Sequence, residues 1–323
     1  NILNIKVRIY MFKFQIISDK TSFDFLKIKL PAFILSLLLI LLTIFSLSLN
    51  GLNFGIDFKG GILIELRSKS NEAVDLSEFR SKAYNLNVGE ISVQKFGKDS
   101  DVLLRIQKQD GDNKKQILVI EKLKNLFKDE FEIRRTEFVG PVVGDELKIA
   151  GLTAILLALF LIMLYIWFRF EWQFSIAAII ALIHDVITTV GLFSIFNLEF
   201  NLAIVAAILT TAGYSINDTV VVFDRVRENL RKYKSQTHFF IYNKSINETL
   251  SRTLITSITT LIALVIIYFF GGAVLADFAL AMIWGVLIGT YSSIFIAVSS
   301  LTFFNIYKGE KKESDEPVPE YER

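Results

Sequence analysis

Six long apolar stretches dominate the hydropathy pattern, at about 30–49, 148–168, 174–196, 202–223, 253–270 and 274–305. Each approaches or exceeds the roughly 20 residues that a helix needs to cross a bilayer core of about 30 Å. The sixth is long enough to tilt or to extend past the interface. Pro31 stands at the entry of the first stretch and Pro141 just ahead of the second, so no proline kink is expected within a span. Between the first two stretches the period changes. Ile62, Ile64 and Leu66 alternate as in a strand, whereas Leu76, Phe79, Ala83 and Leu86 follow helical spacing. Ile91 and Val93 alternate again, then Val102, Leu104 and Ile106, with Gly97, Lys98 and Asp99 as a hairpin-type turn between them. A helix with Ile117, Ile120, Leu123 and Leu126 on one face precedes a strand at Phe131 and Ile133. The order β-α-β-β-α-β is the ferredoxin-like split motif. The expected fold is thus an α-helical polytopic membrane protein of six transmembrane helices, with an α+β ferredoxin-like domain inserted after the first.

Composition fits that segregation: 52% of the 323 residues are apolar and the mean hydropathy is +0.47, although 21% are charged. A net charge of +2 without a basic stripe gives no footprint for nucleic acid. The absence of cysteine excludes disulfides, thiolate metal sites and cysteine nucleophiles. In the insert, 16 Lys/Arg stand against 17 Asp/Glu, a balance suited to protein contact or plain solubility and not to anion binding.

Lysine and arginine set the expected orientation. Lys6, Arg8, Lys13, Lys20, Lys27 and Lys29 precede the first span, Arg225 to Arg252 line the connection between spans four and five, and Lys308, Lys311 and Lys312 follow the sixth. The opposite turns, 197–201 and 270–277, hold neither residue type. Both termini are therefore expected in the cytoplasm. The segments are an N-terminal arm (1–29), span one (30–49), an outward domain (50–146), spans two to six (147–305) with a basic cytoplasmic loop at about 224–252, and a tail (306–323). Span one lacks a small-residue cleavage site at Leu47–Asn50, so it is expected to remain as an anchor.

Ionisable residues inside spans are costly and are functional candidates by default. Here they are His184 and Asp185 in span three, Asp218 in span four and Arg252 at the start of span five. Ala203, Ala207, Thr211, Ser215 and Thr219 form a small-residue stripe that lets helices approach closely, and Asp218 belongs to that face. A carboxylate buried there must be protonated, paired with a cation or wetted. Arg252 supplies the cation, with Thr256 and Thr260 continuing its face. The pair reads either as a proton-coupling element or as a static ion pair fixing helix register; Arg252 alone also reads as an interfacial anchor. His184 either moves a proton or is a hydrogen-bonding residue between helices. Asp224 and Arg225 read as solvated boundary charges. Thr211, Gly213, Ser215, Gly285 and Gly289 are the expected helix-packing positions. A metal site is not expected, since no further ligands accompany His184. An intramembrane serine protease (Ser215 with His184) or an aspartyl dyad (Asp185 with Asp218) fits poorly, lacking the glycine-rich flanks and leaving Arg252 and the insert unexplained. An enzyme is not expected, nor any cofactor.

Three stretches resemble the SecF family, whose members are the smaller membrane partners of SecD in bacterial protein export. They are Gly55-Ile56-Asp57-Phe58-Lys59-Gly60-Gly61 after the first span, the seventeen residues from Gly213 to Asn229, and Ser251-Arg252-Thr253-Leu254-Ile255-Thr256-Ser257. The resemblance covers about residues 25–305. It implies one six-span half of an RND-type bundle in the inner membrane, with SecD as the other half. It also implies the SecYEG channel, translocating unfolded polypeptide and protons as partners. By that resemblance Asp218 and Arg252 fall on proton-transfer positions, His184 and Asp185 on a motif of less settled role, and Gly55, Asp57, Gly60 and Gly61 on a structural motif. The alternative is an RND-type proton-driven exporter of small molecules or lipids, for which an insert of under 100 residues leaves little room.

Overall fold

The computed structural model describes residues 22–86, 91–107, 113–304 and 306. Lys6, Arg8, Lys13 and Lys20 of the expected arm and Lys308, Lys311 and Lys312 of the expected tail lie outside the described residues. In chain order, α1 (Lys29–Leu49) leads to β1 (Asn53–Phe54), the one-turn α2 (Ile56–Lys59), β2 (Gly61–Ser68), α3 (Leu76–Tyr84), β3 (Ile91–Phe96), β4 (Lys98–Gln107), α4 (Asn113–Phe127) and β5 (Phe131–Val139). Then follow α5 (Pro141–Arg169), α6 (Trp172–Ile195), β6 (Glu199–Phe200), α7 (Leu202–Lys232), α8 (His238–Phe270) and α9 (Ala273–Ser292). The chain of α9 runs on through a π-helical turn (Ser293–Ala297) and short helical turns to Phe303. Six helices are long and apolar enough to cross a bilayer.

The inserted domain is a four-stranded antiparallel sheet in the order β3-β4-β2-β5. Counting only these strands, that is the second, third, first and fourth along the chain, the order of the split β-α-β motif. α3 begins where the Asp75 carboxylate accepts from the amides of Ser77 and Glu78, satisfying two otherwise orphaned donors. Ile62, Ile64, Leu66, Val102, Leu104 and Ile106 point to one face, under Phe79 and Ala83 of α3 and Leu123 and Phe127 of α4. The opposite face carries a smaller cluster, Leu63 and Leu103 against Ile56 of α2. Both faces are thus covered, by different partners.

Two local expectations change. The hairpin turn narrows to Gly97, at φ 79°, because Lys98 and Asp99 already belong to β4. The inward face of α4 is Gln116, Val119, Leu123 and Phe127, leaving Ile117 and Leu126 at 52% and 39% exposure. Aromatic packing decides that rotation: Phe127 stacks on Phe79 at 4.2 Å and meets Phe131 edge-on.

Among the spans, α6, α7 and α9 bury half or more of their most apolar stretch, whereas α1, α5 and α8 present Leu, Ile and Phe outward. The stretch expected as a loop at 224–252 is helical except for 233–237, because α7 and α8 extend past their apolar segments as a packed pair. Val226, Leu230, Ile241, Tyr242 and Ile246 are buried between them. Asn229 Nδ2 donates to Ser245 Oγ (3.0 Å) and Glu248 Oε2 (2.7 Å). Asp224 and Arg225 are partly exposed boundary charges that are also paired: Arg169 Nη2 of α5 donates to both Asp224 carboxylate oxygens (3.2 and 3.1 Å), and Arg225 pairs with Glu228.

Candidate functional site

Close approach of helices creates the site. A Cβ at Gly285 of α9 would stand 2.3 Å from Cγ2 of Thr211 on α7, and one at Gly289 would stand 3.0 Å from Cβ of Ser215. Only glycine lets α9 lie this near α7. Gly191 of α6 meets Thr43 of α1 still more tightly, a contact the sequence pattern did not suggest. Gly213 is the exception among the expected packing positions: it is exposed, and a Cβ there would meet nothing within 4 Å. The i+4 stripe of α7 turns Thr211 and Ser215 toward α9, and Gly213 falls between them on another face.

Asp185 of α6 is the hub of the core, at 1% exposure. Its Oδ2 accepts from Ser215 Oγ of α7 (2.7 Å) and Ser292 Oγ of α9 (2.8 Å), and its Oδ1 meets His184 Nδ1 at 3.0 Å. One carboxylate therefore ties three spans together. Ser292 is the last residue of α9 before the π-helical turn, a distortion that recurs at functional sites. The His184 hydrogen bond runs to Asp185 on its own helix, not between helices, and its buried Nε2 has no partner among the described residues.

Asp218 is the contrasting group. It lies on α7 three residues past Ser215, is 3% exposed, and its buried Oδ2 has no hydrogen-bond partner among the described residues. Arg252 is within electrostatic reach but forms no ion pair with it; the guanidinium is on an exposed face of α8. The expected pairing is therefore not made in this arrangement. Thr256 donates to the Arg252 carbonyl (3.2 Å), while Thr253, beside Arg252 and 1% exposed, has an unpartnered Oγ1. Asp218, His184 and Thr253 are thus among the buried polar groups with an unpartnered atom in the described residues, and each such group calls for a reason.

The glycine-rich segment lies at the opposite end of α7 from the basic residues. Gly60 (φ 73°) and Gly61 (φ 132°) adopt backbone conformations that L side chains avoid, turning α2 directly into β2. The segment also holds the start of α7. β1 pairs with β6, the Gly55 amide donates to the Phe200 carbonyl (2.9 Å), and Asp57 Oδ2 accepts from the Leu202 amide (2.8 Å). A Cβ at Gly55 would collide with Glu199 at 2.5 Å. Asp57 is therefore an N-terminal cap on the helix that carries Asp218, a favourable place for a carboxylate. Sequence reasoning missed this long-range cap, as it missed Ser292. Neither has a local signal, for the partners are 145 and 107 residues away.

Six bilayer-length helices whose central three bury a saturated and an unsaturated carboxylate define a polytopic membrane protein with ionisable groups in its core. Residues 118–306 match the family model for the C-terminal part of the SecD/SecF protein export membrane proteins, and residues 45–72 match the SecD/SecF GG motif. The chain is 43% identical over 303 residues to the protein translocase subunit SecF of Rickettsia bellii, covering 93% of this chain and 99% of that one. To the SecF of Rickettsia prowazekii it is 44% identical over 308 residues, covering 95% and 98%. The crystal structure of SecDF, a translocon-associated membrane protein from Thermus thermophilus, superimposes with a TM-score of 0.78 at 37% identity. That match covers 88% of this chain, which spans 39% of the SecDF chain. The chain belongs to the SecF family of protein translocase subunits, and its fold is one six-helix half of an RND-type membrane bundle.

Proposed function

We propose that this chain, with SecD as its second half, uses the proton gradient to drive the late stage of polypeptide export beside the SecYEG channel of the bacterial inner membrane. Asp218 carries the reading. It is a carboxylate in the packed core of a span, bare of hydrogen bonds and within electrostatic reach of Arg252. Such a group has two stable conditions, proton-bound and cation-paired, and exchange between them repacks α7. No chemical step on a substrate is involved.

The distribution of Lys and Arg supports cytoplasmic termini and an inserted domain on the outer face, where the emerging chain is held or released. An exposed stripe on α7 supports the second half: Ala206, Thr210, Gly213 and Asn217 share one face that no described residue covers. Small and polar residues there suit a neighbouring helix, whereas the Leu and Ile faces of α1 and α5 suit lipid.

The test is export of a slowly translocating reporter with and without a proton gradient, comparing wild type with Asp218→Asn at matched membrane levels. The mutant is expected to lose the gradient-dependent late step and keep the earlier one. Unaffected export would reduce Asp218 to a packing residue and favour a passive scaffold. A defect confined to extrusion of small molecules would favour the exporter alternative.

A further inference from the structure

The inserted domain meets the helix bundle through β1 and α2, and at one charged contact from the sheet itself. Arg105 stands on β4, next to Leu103's side of the sheet and away from α3 and α4. Its guanidinium pairs with Glu199 of β6, and both side chains are largely buried, at 16% and 13% exposure. Asp277, in the opening turns of α9, acts on the same guanidinium through charge. Arg105 Nε is buried without a hydrogen-bond partner among the described residues, so the group keeps a spare donor.

The Glu199 strand leads straight into α7, one helix of the core site, and Asp277 belongs to another, α9. These are the helices joined at Gly285–Thr211 and Gly289–Ser215 and bridged by Asp185. A guanidinium removed from water cannot be left without a carboxylate except at a large cost. Any displacement of the start of α7 moves Glu199, and Arg105 must then follow it or be left buried without its carboxylate. Its planar guanidinium holds a carboxylate in a fixed orientation, which a lysine ammonium does less well.

We propose that Arg105 is the positioning residue that transmits rearrangement of α7 to the inserted domain, through its ion pair with Glu199 just ahead of that helix. The role in export rests on the proton-driven reading above; the contact itself does not.

The experiment uses the complex with a cysteine-free SecD, since this chain has no cysteine of its own. Ser92→Cys in β3 and Phe196→Cys at the end of α6, both exposed, carry a spin-label pair that reports the distance between domain and bundle. Arg105→Met is expected to broaden that distance distribution at least twofold and to lower gradient-dependent export to the level of Asp218→Asn. Proton flux through the reconstituted complex is expected to stay within twofold of wild type, a separation that a mere loss of folding would not give. Arg105→Lys is expected to retain a narrow distribution and part of the export. The swap Arg105→Glu with Glu199→Arg and Asp277→Asn is expected to restore both readouts. A wild-type distance distribution in Arg105→Met overturns the proposal, as does a broadened one with wild-type export while Asp218→Asn is defective. If Asp218→Asn exports normally, the proton-driven reading fails by itself, and the distance distribution alone decides whether Arg105 holds the domain.

Discussion

Asp185 and Asp218 are both buried carboxylates in the same three-helix core, at 1% and 3% exposure, and their surroundings are opposite. Asp185 is fully engaged: two serine hydroxyls from α7 and α9 and the His184 ring close on its oxygens. Asp218, one turn further along α7, has a buried oxygen with no hydrogen-bond partner among the described residues. Burial is common to both, so burial alone does not separate them; the hydrogen bonds do. A saturated carboxylate fixes a geometry, because every change costs several hydrogen bonds. A bare one leaves the helix free to settle again when a proton or a cation arrives.

The largest expected effect comes from removing the hub. Asp185→Ala leaves Ser215 and Ser292 without their acceptor and is expected to destabilise the complex by about 1–3 kcal/mol, as hydrogen bonds between membrane helices are each worth about 0.6–1.7 kcal/mol. Denaturant-titrated unfolding in detergent measures it; a loss below about 1 kcal/mol would erase the contrast drawn here. Next is the contact that brings α7 and α9 together. Gly285→Ala forces a methyl against Thr211 and is expected to cost about 1–3 kcal/mol. In the chain without its second half, Gly213→Ala meets nothing within 4 Å and is expected to be neutral or to gain up to about 1 kcal/mol from helix propensity. Opposite signs in one unfolding series would separate the two glycines, and equal costs would place Gly213 in a helix contact after all.

The smallest stability effect is expected at Asp218. Asp218→Asn keeps the shape and breaks no hydrogen bond, so unfolding should stay within about 1 kcal/mol of wild type. Together with the loss of gradient-dependent export expected above, that would make Asp218 functional without being structural. A destabilisation as large as that of Asp185→Ala would make the two carboxylates alike and sink the comparison.

Much of the architecture was legible along the chain. The six apolar stretches and the change of period between them lead to the helices and the split β-α-β domain, because membrane span and strand alternation are local patterns. Asp218, Asp185 and His184 stand out for an equally local reason, charge within an apolar run. The rotation of α4 was not legible, since Ile117 and Leu126 fit the helical period as well as Val119 and Phe127 do. Only the stacking of Phe127 on Phe79 chooses between them. The helical extension of α7 and α8 was hidden in the same way, as its charged surface masks an apolar seam between two helices.

The sequence by itself determined which segments cross the membrane, which carry the domain and which ionisable groups are placed where they are costly. Those properties follow from the free energy of transferring each segment, which is nearly additive along a chain. Tertiary structure alone decided that Asp185 is saturated and Asp218 Oδ2 unpartnered among the described residues, that Asp57 caps α7, and that Arg105 pairs with Glu199. Each depends on groups far apart in sequence meeting within hydrogen-bond or charge range, and such meetings are set by how helices and sheet pack, not by the residues beside them in the chain.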